Sequence, residues 1–289
     1  MTRRALATDW YRLTKPGLVY GNLFALVAGY GYGMLEGGDF SLVTMIVTTL
    51  ATGLIMGAAC VVNNILDRDI DRVMGRTRQR ALAAGRIMPS AAALYAVVLA
   101  SIGLGLLAAI QIWLTLLGAV GLITYGWVYT WLKRRTYHAT LFGTIPGAIP
   151  PFIGYVAADG DAWLTIIAIG LIMVSWQMVH FYAIALMRHD DYTAAAIPTV
   201  SRVLGLQATR VHMLWWAWLA ALGIVVSMFH TNSAYAVLSG CVALYWLYSV
   251  KPVAQDMVPW ARQTFKLSLL FLVLWTTAIW ISVGLGRFV

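Results

Sequence analysis

Long apolar stretches separated by short polar ones dominate the chain, and nine of them approach the roughly 20 residues that a membrane-spanning helix needs. They run Gly17–Leu35, Leu42–Val62, Ala91–Ala109, Leu114–Leu132, Ala139–Ala157, Ala162–Leu186, Met213–Phe229, Ala234–Val250 and Leu267–Leu285. Glycine and proline inside these runs are compatible with spanning helices, because neighbouring helices can satisfy the freed backbone groups. The short Gln111–Trp113 connection predicts a tight hairpin between the third and fourth runs. The expected fold class is therefore all-α, a polytopic transmembrane bundle of about nine helices. Residues 1–16 read as a polar, basic N-terminal segment and 17–289 as a single transmembrane domain. The first apolar run continues too far to be the core of a cleavable signal.

Composition agrees. The 289 residues are 61% hydrophobic and 11% charged, where soluble domains carry about 25% charged residues. Twenty Lys and Arg stand against eleven Asp and Glu, a net charge of +9. The basic residues sit in short stretches between apolar runs, which points to membrane orientation and away from nucleic acid. Nineteen of the twenty fall on one side if the runs alternate in direction. These are Arg3, Arg4, Arg12 and Lys15; Arg68, Arg72, Arg76, Arg78, Arg80 and Arg86; Lys133, Arg134 and Arg135; Arg188, Arg202 and Arg210; and Lys251, Arg262 and Lys266. Only Arg287 falls on the other. This bias predicts a cytoplasmic N-terminus and an external C-terminus; the membrane itself is expected to be a bacterial-type cytoplasmic (inner) one. It also puts the long Asn63–Ser90 and Met187–His212 connections in the cytoplasm. Cys60 and Cys241 lie inside apolar runs without metal spacing and read as small buried hydrophobes.

The chemistry concentrates where the second run ends. Asn63, Asp67 and Asp71 are spaced by four, so on a helix they share one face and climb about 12 Å along it. Carboxylate and amide oxygens suit Mg²⁺, which takes few protein ligands and lets substrate phosphates complete its shell. Arg72, Arg76, Arg78 and Arg80 follow at once, and guanidinium groups bind phosphate oxygens in pairs. A carboxylate row beside an arginine row is what a metal–diphosphate site requires. A solvated helix end with acid–base pairs is the structural alternative.

A second polar cluster, Arg188, His189, Asp190, Asp191 and Tyr192, follows the sixth run on the same side. Two acidic sites facing each other could hold metal ions on both sides of one diphosphate. At the end of the sixth run stand Trp176, Gln177 and His180, with Trp176 and His180 on one face. A histidine within a span is costly unless it works. It could contact iron, move a proton or hydrogen-bond a neighbouring helix. His138, His189, His212 and His230 lie near run ends and read as interfacial residues.

The Asn63-x3-Asp67-x3-Asp71 spacing resembles the first signature of the intramembrane ubiquinone-type prenyltransferase superfamily. Further segments resemble its protohaem IX farnesyltransferase (haem O synthase) branch: Thr14-Lys15-Pro16-Gly17, Arg76-Thr77-x2-Arg80, Leu132-Lys133-Arg134-Arg135, Gly147-Ala148-x-Pro150-Pro151, Trp176-Gln177-Met178-x-His180, and Asp191-Tyr192 before Ile197-Pro198. The resemblance runs from about residue 10 to the last apolar run. The superfamily's second motif has two acids four apart; here Asp191 holds the later position and Met187 the earlier, which leaves the second metal site short of ligands. Ala81 and Val179 stand where the branch often has proline.

The resemblance implies farnesyl transfer from farnesyl diphosphate to a vinyl group of haem B, with water addition giving haem O. It implies Mg²⁺ held by Asn63, Asp67, Asp71 and Asp191, and diphosphate clamped by Arg72, Arg76, Arg80, Lys133 and Arg134. Trp176, Gln177 and His180 would meet the haem, with His180 positioning it or handling a proton. Haem A synthase or terminal-oxidase assembly would receive the product. A prenyltransferase for a quinone precursor shares the metal site and differs at the acceptor pocket. A transporter or channel fits less well, because transporter acids lie near the bilayer midplane and these lie at one end beside many arginines.

Overall fold

The computed structural model describes residues 6–229, 231–251 and 256–286. Arg3, Arg4, His230 and Arg287 lie outside the described residues. Within them, nine helices are long and apolar enough to cross a membrane. They are α2 (Pro16–Leu35), α3 (Leu42–Leu66), α5 (Pro89–Ala108), Ile112–Leu132, α8 (Ala139–Ala157), α9 (Trp163–Met187), α12 (Leu206–Met228), α13 (Ser233–Val250) and α14 (Met257–Gly286). The Ile112–Leu132 span comprises α6 (Ile112–Ile123), a π-helical turn (Thr124–Tyr129) and a last α turn, α7 (Thr130–Leu132). Short helices α1 (Ala7–Leu13), α4 (Arg68–Val73), α10 (His189–Ala194) and α11 (Val200–Val203) sit outside the spans.

Each predicted run is a helix, but three run further than their apolar stretch. α3 continues to Leu66, α12 starts at Leu206 and α14 at Met257. Hydropathy marks the part of a helix that lipid covers, whereas backbone hydrogen bonding carries on through Asn63 and Asn64, Arg210, and Arg262 and Lys266. α8 stays helical through Pro146, Pro150 and Pro151.

Helix α2 packs on α8, α3 on α5, α9 on α12, and α14 closes against α2, α9 and α13. Lipid is as apolar as leucine, so close packing and internal hydrogen bonds hold the bundle together. The α2–α8 seam is the tightest example. A Cβ on Gly29 would lie 1.9 Å from Pro151 O, and one on Gly154 would lie 2.1 Å from Leu26 O. On the far side, Tyr235 OH meets Ser227 Oγ at 2.9 Å and accepts from Trp275 Nε1 at 3.2 Å. Outward-facing Leu94, Val97, Trp215, Trp218 and Leu244 are exposed, an apolar girdle that only a membrane covers. Cys60 is buried as expected, but Cys241 is exposed on that girdle, so only one of the two is a core residue.

Helix α1 folds back on the end of the bundle that carries the long connections. Arg86 Nε and Nη2 donate to the two Asp9 carboxylate oxygens at 2.9 and 2.8 Å, fastening α1 to the loop after α4.

Candidate active site

Helix α3 ends at Leu66 and α4 begins at Arg68, with Asp67 at the junction. The break does not disturb the period of four, because Asp67 N–H donates to Asn63 O at 2.9 Å and Asp71 N–H to Asp67 O at 2.8 Å. Asn63, Asp67 and Asp71 therefore share a face. They are 1%, 5% and 4% exposed, so the wall is not a solvated helix end.

Buried carboxylates need partners. Lys133 donates to Asp67 Oδ2, and Arg134 Nη2 stands 3.7 Å from Asp67 Oδ1. Arg80 Nη1 lies 2.9 Å from both Asp71 oxygens and 3.3 Å from Asn64 Oδ1. Asn63 is gripped from two sides, accepting from Lys15 Nζ and donating to Thr130 Oγ1 at 2.7 Å. Asp67 Oδ1 is buried with no hydrogen-bond partner. A buried carboxylate oxygen with no hydrogen bond, and Arg134 only at 3.7 Å, fits the role of a metal ligand. Among the described residues, no three His, Cys, Asp or Glu side chains converge into a preformed cage. The donors suit a cation that arrives with phosphate oxygens.

The other predicted diphosphate contacts are distributed unevenly. Arg134 binds Asp69 through Nη1 and Nη2, both at 2.8 Å, and caps Leu66 O. That guanidinium holds the Asp69 carboxyl down at about 2. Arg72 is exposed and donates from Nε to Ala83 O at 3.1 Å, bracing the loop, while Arg76 is exposed. In the second cluster Asp191 is half-buried, 4.0 Å from Arg188, and Asp190 is exposed. The neighbouring Tyr192 hydroxyl is pushed up by burial and lowered by Arg76 and Arg80 from the first loop, so the two loops share one electrostatic environment. Met187, at the missing acid position, is half-buried and offers no oxygen.

Lys15 is the main residue whose place the motif reading did not assign. It adopts a left-handed backbone (φ 50°, ψ 63°) directly before Pro16. Such a conformation costs on the order of 1–3 kcal/mol for a residue other than glycine. It turns the ammonium inward, onto Asn63 and within 3.4 Å of the Tyr125 hydroxyl. Loss of water there lowers its pKa to about 8. The π-helical turn places Tyr125 and Tyr129 in a stack, with centroids 5.7 Å apart and planes at 12°. Lys133 and Lys15 each lie over one of these rings, at 5.5 and 5.6 Å. Lys15 had a signal in the Thr-Lys-Pro-Gly segment, whereas a π-helical turn has none in a single sequence.

Beneath this polar mouth a cavity of about 340 Å³ opens into the bundle. Cys60 and Tyr125 line its upper part, and Thr52, Ile55 and Ile153 lie along its α3 and α8 side. On the other side it reaches Trp176, Gln177 and His180 of α9 and Phe265 of α14. Gln177 Nε2 donates to Thr144 O at 3.2 Å and Met173 O at 3.0 Å. Gly147 makes room for this amide, since a Cβ there would lie 1.9 Å from Gln177 Oε1. Trp176 Nε1 donates to Ser268 O at 2.7 Å, and His180 Nδ1 lies 2.8 Å from Ser268 Oγ. The α9 trio and Cys60, which stands one helical turn before Asn63 on α3, thus line one apolar chamber.

Known proteins resemble this chain in sequence and in fold. The pattern of the family described as UbiA prenyltransferase matches residues 22–275. The chain is 34% identical over 283 residues to "Protoheme IX farnesyltransferase 2" of Shewanella sp. (strain MR-4), covering 92% of this chain and 90% of that one. It is 36% identical over 264 residues to the protein of that name from Pseudomonas fluorescens (strain Pf0-1), with 89% of each covered. Identity is 35% over 281 residues to "Protoheme IX farnesyltransferase" of Aliivibrio salmonicida (strain LFI1238), with 95% and 96% covered. Among solved structures, a UbiA homologue from Archaeoglobus fulgidus bound to GPP and Mg²⁺ superposes with TM-score 0.70 at 16% identity, covering 94% of this chain and 99% of that one. An apo UbiA homologue from Aeropyrum pernix K1 gives TM-score 0.74 at 20% identity, covering 93% and 98%. These structural likenesses carry the fold.

Proposed function

The chain belongs to the UbiA prenyltransferase family, and from that premise we propose that it transfers a farnesyl group from farnesyl diphosphate to a vinyl group of haem B, water completing the side chain of haem O. The acceptor comes from the relatives named protoheme IX farnesyltransferase. The observation that carries the reading is the buried Asn63–Asp67–Asp71 wall, with one carboxylate oxygen making no hydrogen bond, one turn along α3 from Cys60, which lines an apolar cavity that also reaches His180.

Asn63, Asp67 and Asp71, with Asp191 from the second loop, are the residues that would hold Mg²⁺. The bound metal supplies Lewis-acid neutralisation of the diphosphate leaving group. Lys15, Arg80 and Lys133 ring the same wall, bonded to Asn63, Asp71 and Asp67, and would bring positive charge to the diphosphate oxygens. Arg134, Arg72 and Arg76 add positive charge further out. As the C–O bond breaks, its electron pair leaves with the diphosphate, and these fixed charges stabilise it without reorganising. The farnesyl tail occupies the chamber below Cys60 and Tyr125, where apolar walls keep water from the allylic cation. The acceptor approaches from the Trp176, Gln177 and His180 side.

The reaction faces the cytoplasm of a bacterial-type inner membrane, the side that the basic residues favour. Residues 17–289 act as one transmembrane catalytic unit, and the product passes to haem A synthase or terminal-oxidase assembly. Purified protein incubated with haem B, farnesyl diphosphate and Mg²⁺ should yield a more hydrophobic haem on reversed-phase chromatography, and chelation should abolish it. Prenylation of a quinone precursor with haem B left unchanged would overturn the assignment.

A further inference from the structure

Helix α14 holds the His180 imidazole in a way that decides which ring nitrogen carries the proton. Nδ1 lies 2.8 Å from Ser268 Oγ. A serine hydroxyl has one proton to give, and Ser268 gives it to Phe265 O at 2.6 Å. With its proton there, Oγ accepts at its contact with His180, and Nδ1 is the N–H donor. In the neutral ring the other nitrogen, Nε2, is then a bare lone pair. No hydrogen bond ties Nε2 to another group among the described residues, and the ring lines the cavity.

The faces of the ring are braced as well. Trp176 lies 5.4 Å away with its plane at 26°, and Phe265 lies 4.7 Å away at 32°. Trp176 is itself tied to Ser268 O at 2.7 Å. A single residue of α14 thus anchors both His180 and the indole beside it. A metal-ligating histidine donates its other ring N–H to an oxygen acceptor, which fixes the tautomer and the ring's direction. That is the arrangement here, with the metal's place left open to the cavity.

We propose that Ser268 is a positioning residue that sets His180 as the Nδ1–H tautomer and presents Nε2 to the cavity as an axial ligand for the iron of the haem acceptor. The proposal rests on the reading of haem as acceptor. It changes the part played by Trp176. An imidazole coordinates through an in-plane lone pair. Trp176, stacked on the imidazole at 26° and tied to Ser268 O, would then brace His180 rather than serve as a platform for the haem.

The test uses the full-length protein in detergent micelles. With ¹⁵N-labelled histidine, the ring signals that vanish in His180→Ala should show a protonated Nδ1 and an unprotonated Nε2. Titration with ferric haem B should shift the Soret band in wild type and in Ser268→Thr, which keeps the hydroxyl. Ser268→Ala should need about 10–100-fold more haem for the same shift, and His180→Ala should not show it. A wild-type Nε2–H signal would overturn the proposal, as would the same Soret shift in His180→Ala. Farnesylation of haem B without any His180-dependent shift would remove the iron-ligand role while leaving the function standing. Wild type that neither binds nor farnesylates haem B would overturn the function and the ligand role together.

Discussion

At the level of single residues, the account depends on carboxylates buried beside cations. Asp67 and Asp71 are nearly inaccessible and each faces a basic side chain. Asp67→Ala and Asp71→Ala should each reduce turnover by at least about 10²-fold, the scale seen when one electrostatic stabiliser of a transition state is lost. The protein should still insert, which membrane fractionation checks. Asp191→Ala should damage turnover more than Asp190→Ala, because Asp191 is half-buried next to Tyr192 and Asp190 is exposed. The first acid cluster was legible in the sequence because a period of four survives the α3–α4 break. The roles of Lys15, Tyr125 and Ser268 were not. Lys15 reaches Asn63 from 48 positions away, and Ser268 reaches His180 from 88. Contacts of that kind depend on helix packing, which hydropathy does not encode.

At the level of elements, close helix contact replaces the hydrophobic drive that water would supply. Gly29 and Gly154 let the α2 and α8 backbones touch. Gly29→Ala should separate them at a cost of about 1–3 kcal/mol, the usual range for overpacking, read as a lower melting temperature in detergent. The α1 clasp gives a pH dependence. Arg86 lowers the Asp9 carboxyl from its ordinary value of 3.8. The folded value lies below the unfolded one, so the stabilisation is complete above 3.8 and is lost as pH falls through the folded value. Protection of the α1 amides, taken relative to the intrinsic exchange rate at each pH, should fall on acidification below that point, and Arg86→Ala should lower it at neutral pH. The spans themselves were legible from apolar runs alone. Their polar extensions, and the π-helical turn that stacks Tyr125 on Tyr129, follow from backbone bonding that apolar runs do not report.

At the level of the whole molecule, an odd number of spans would put the two ends of the chain on opposite sides of the membrane. Nine spanning helices among the described residues fit the one-sided distribution of Lys and Arg. Reporter fusions after Gly85 and after Gly286 should report opposite sides of the membrane, with Gly85 cytoplasmic; the same side for both would refute the topology. The bundle brings the α9 trio to a chamber whose α3 wall includes Cys60, one turn short of the acid wall, and on the proposed function that is where a diphosphate and a haem would meet. The most direct measurement is mass spectrometry of haem extracted from membranes carrying either the wild-type chain or Asp71→Ala, after supply of haem B, farnesyl diphosphate and Mg²⁺. The account predicts a haem heavier by one farnesyl group and one hydroxyl in the wild type only, the second proton of the added water being released. Unmodified haem B in both would contradict it, and so would equal amounts of the heavier haem in both.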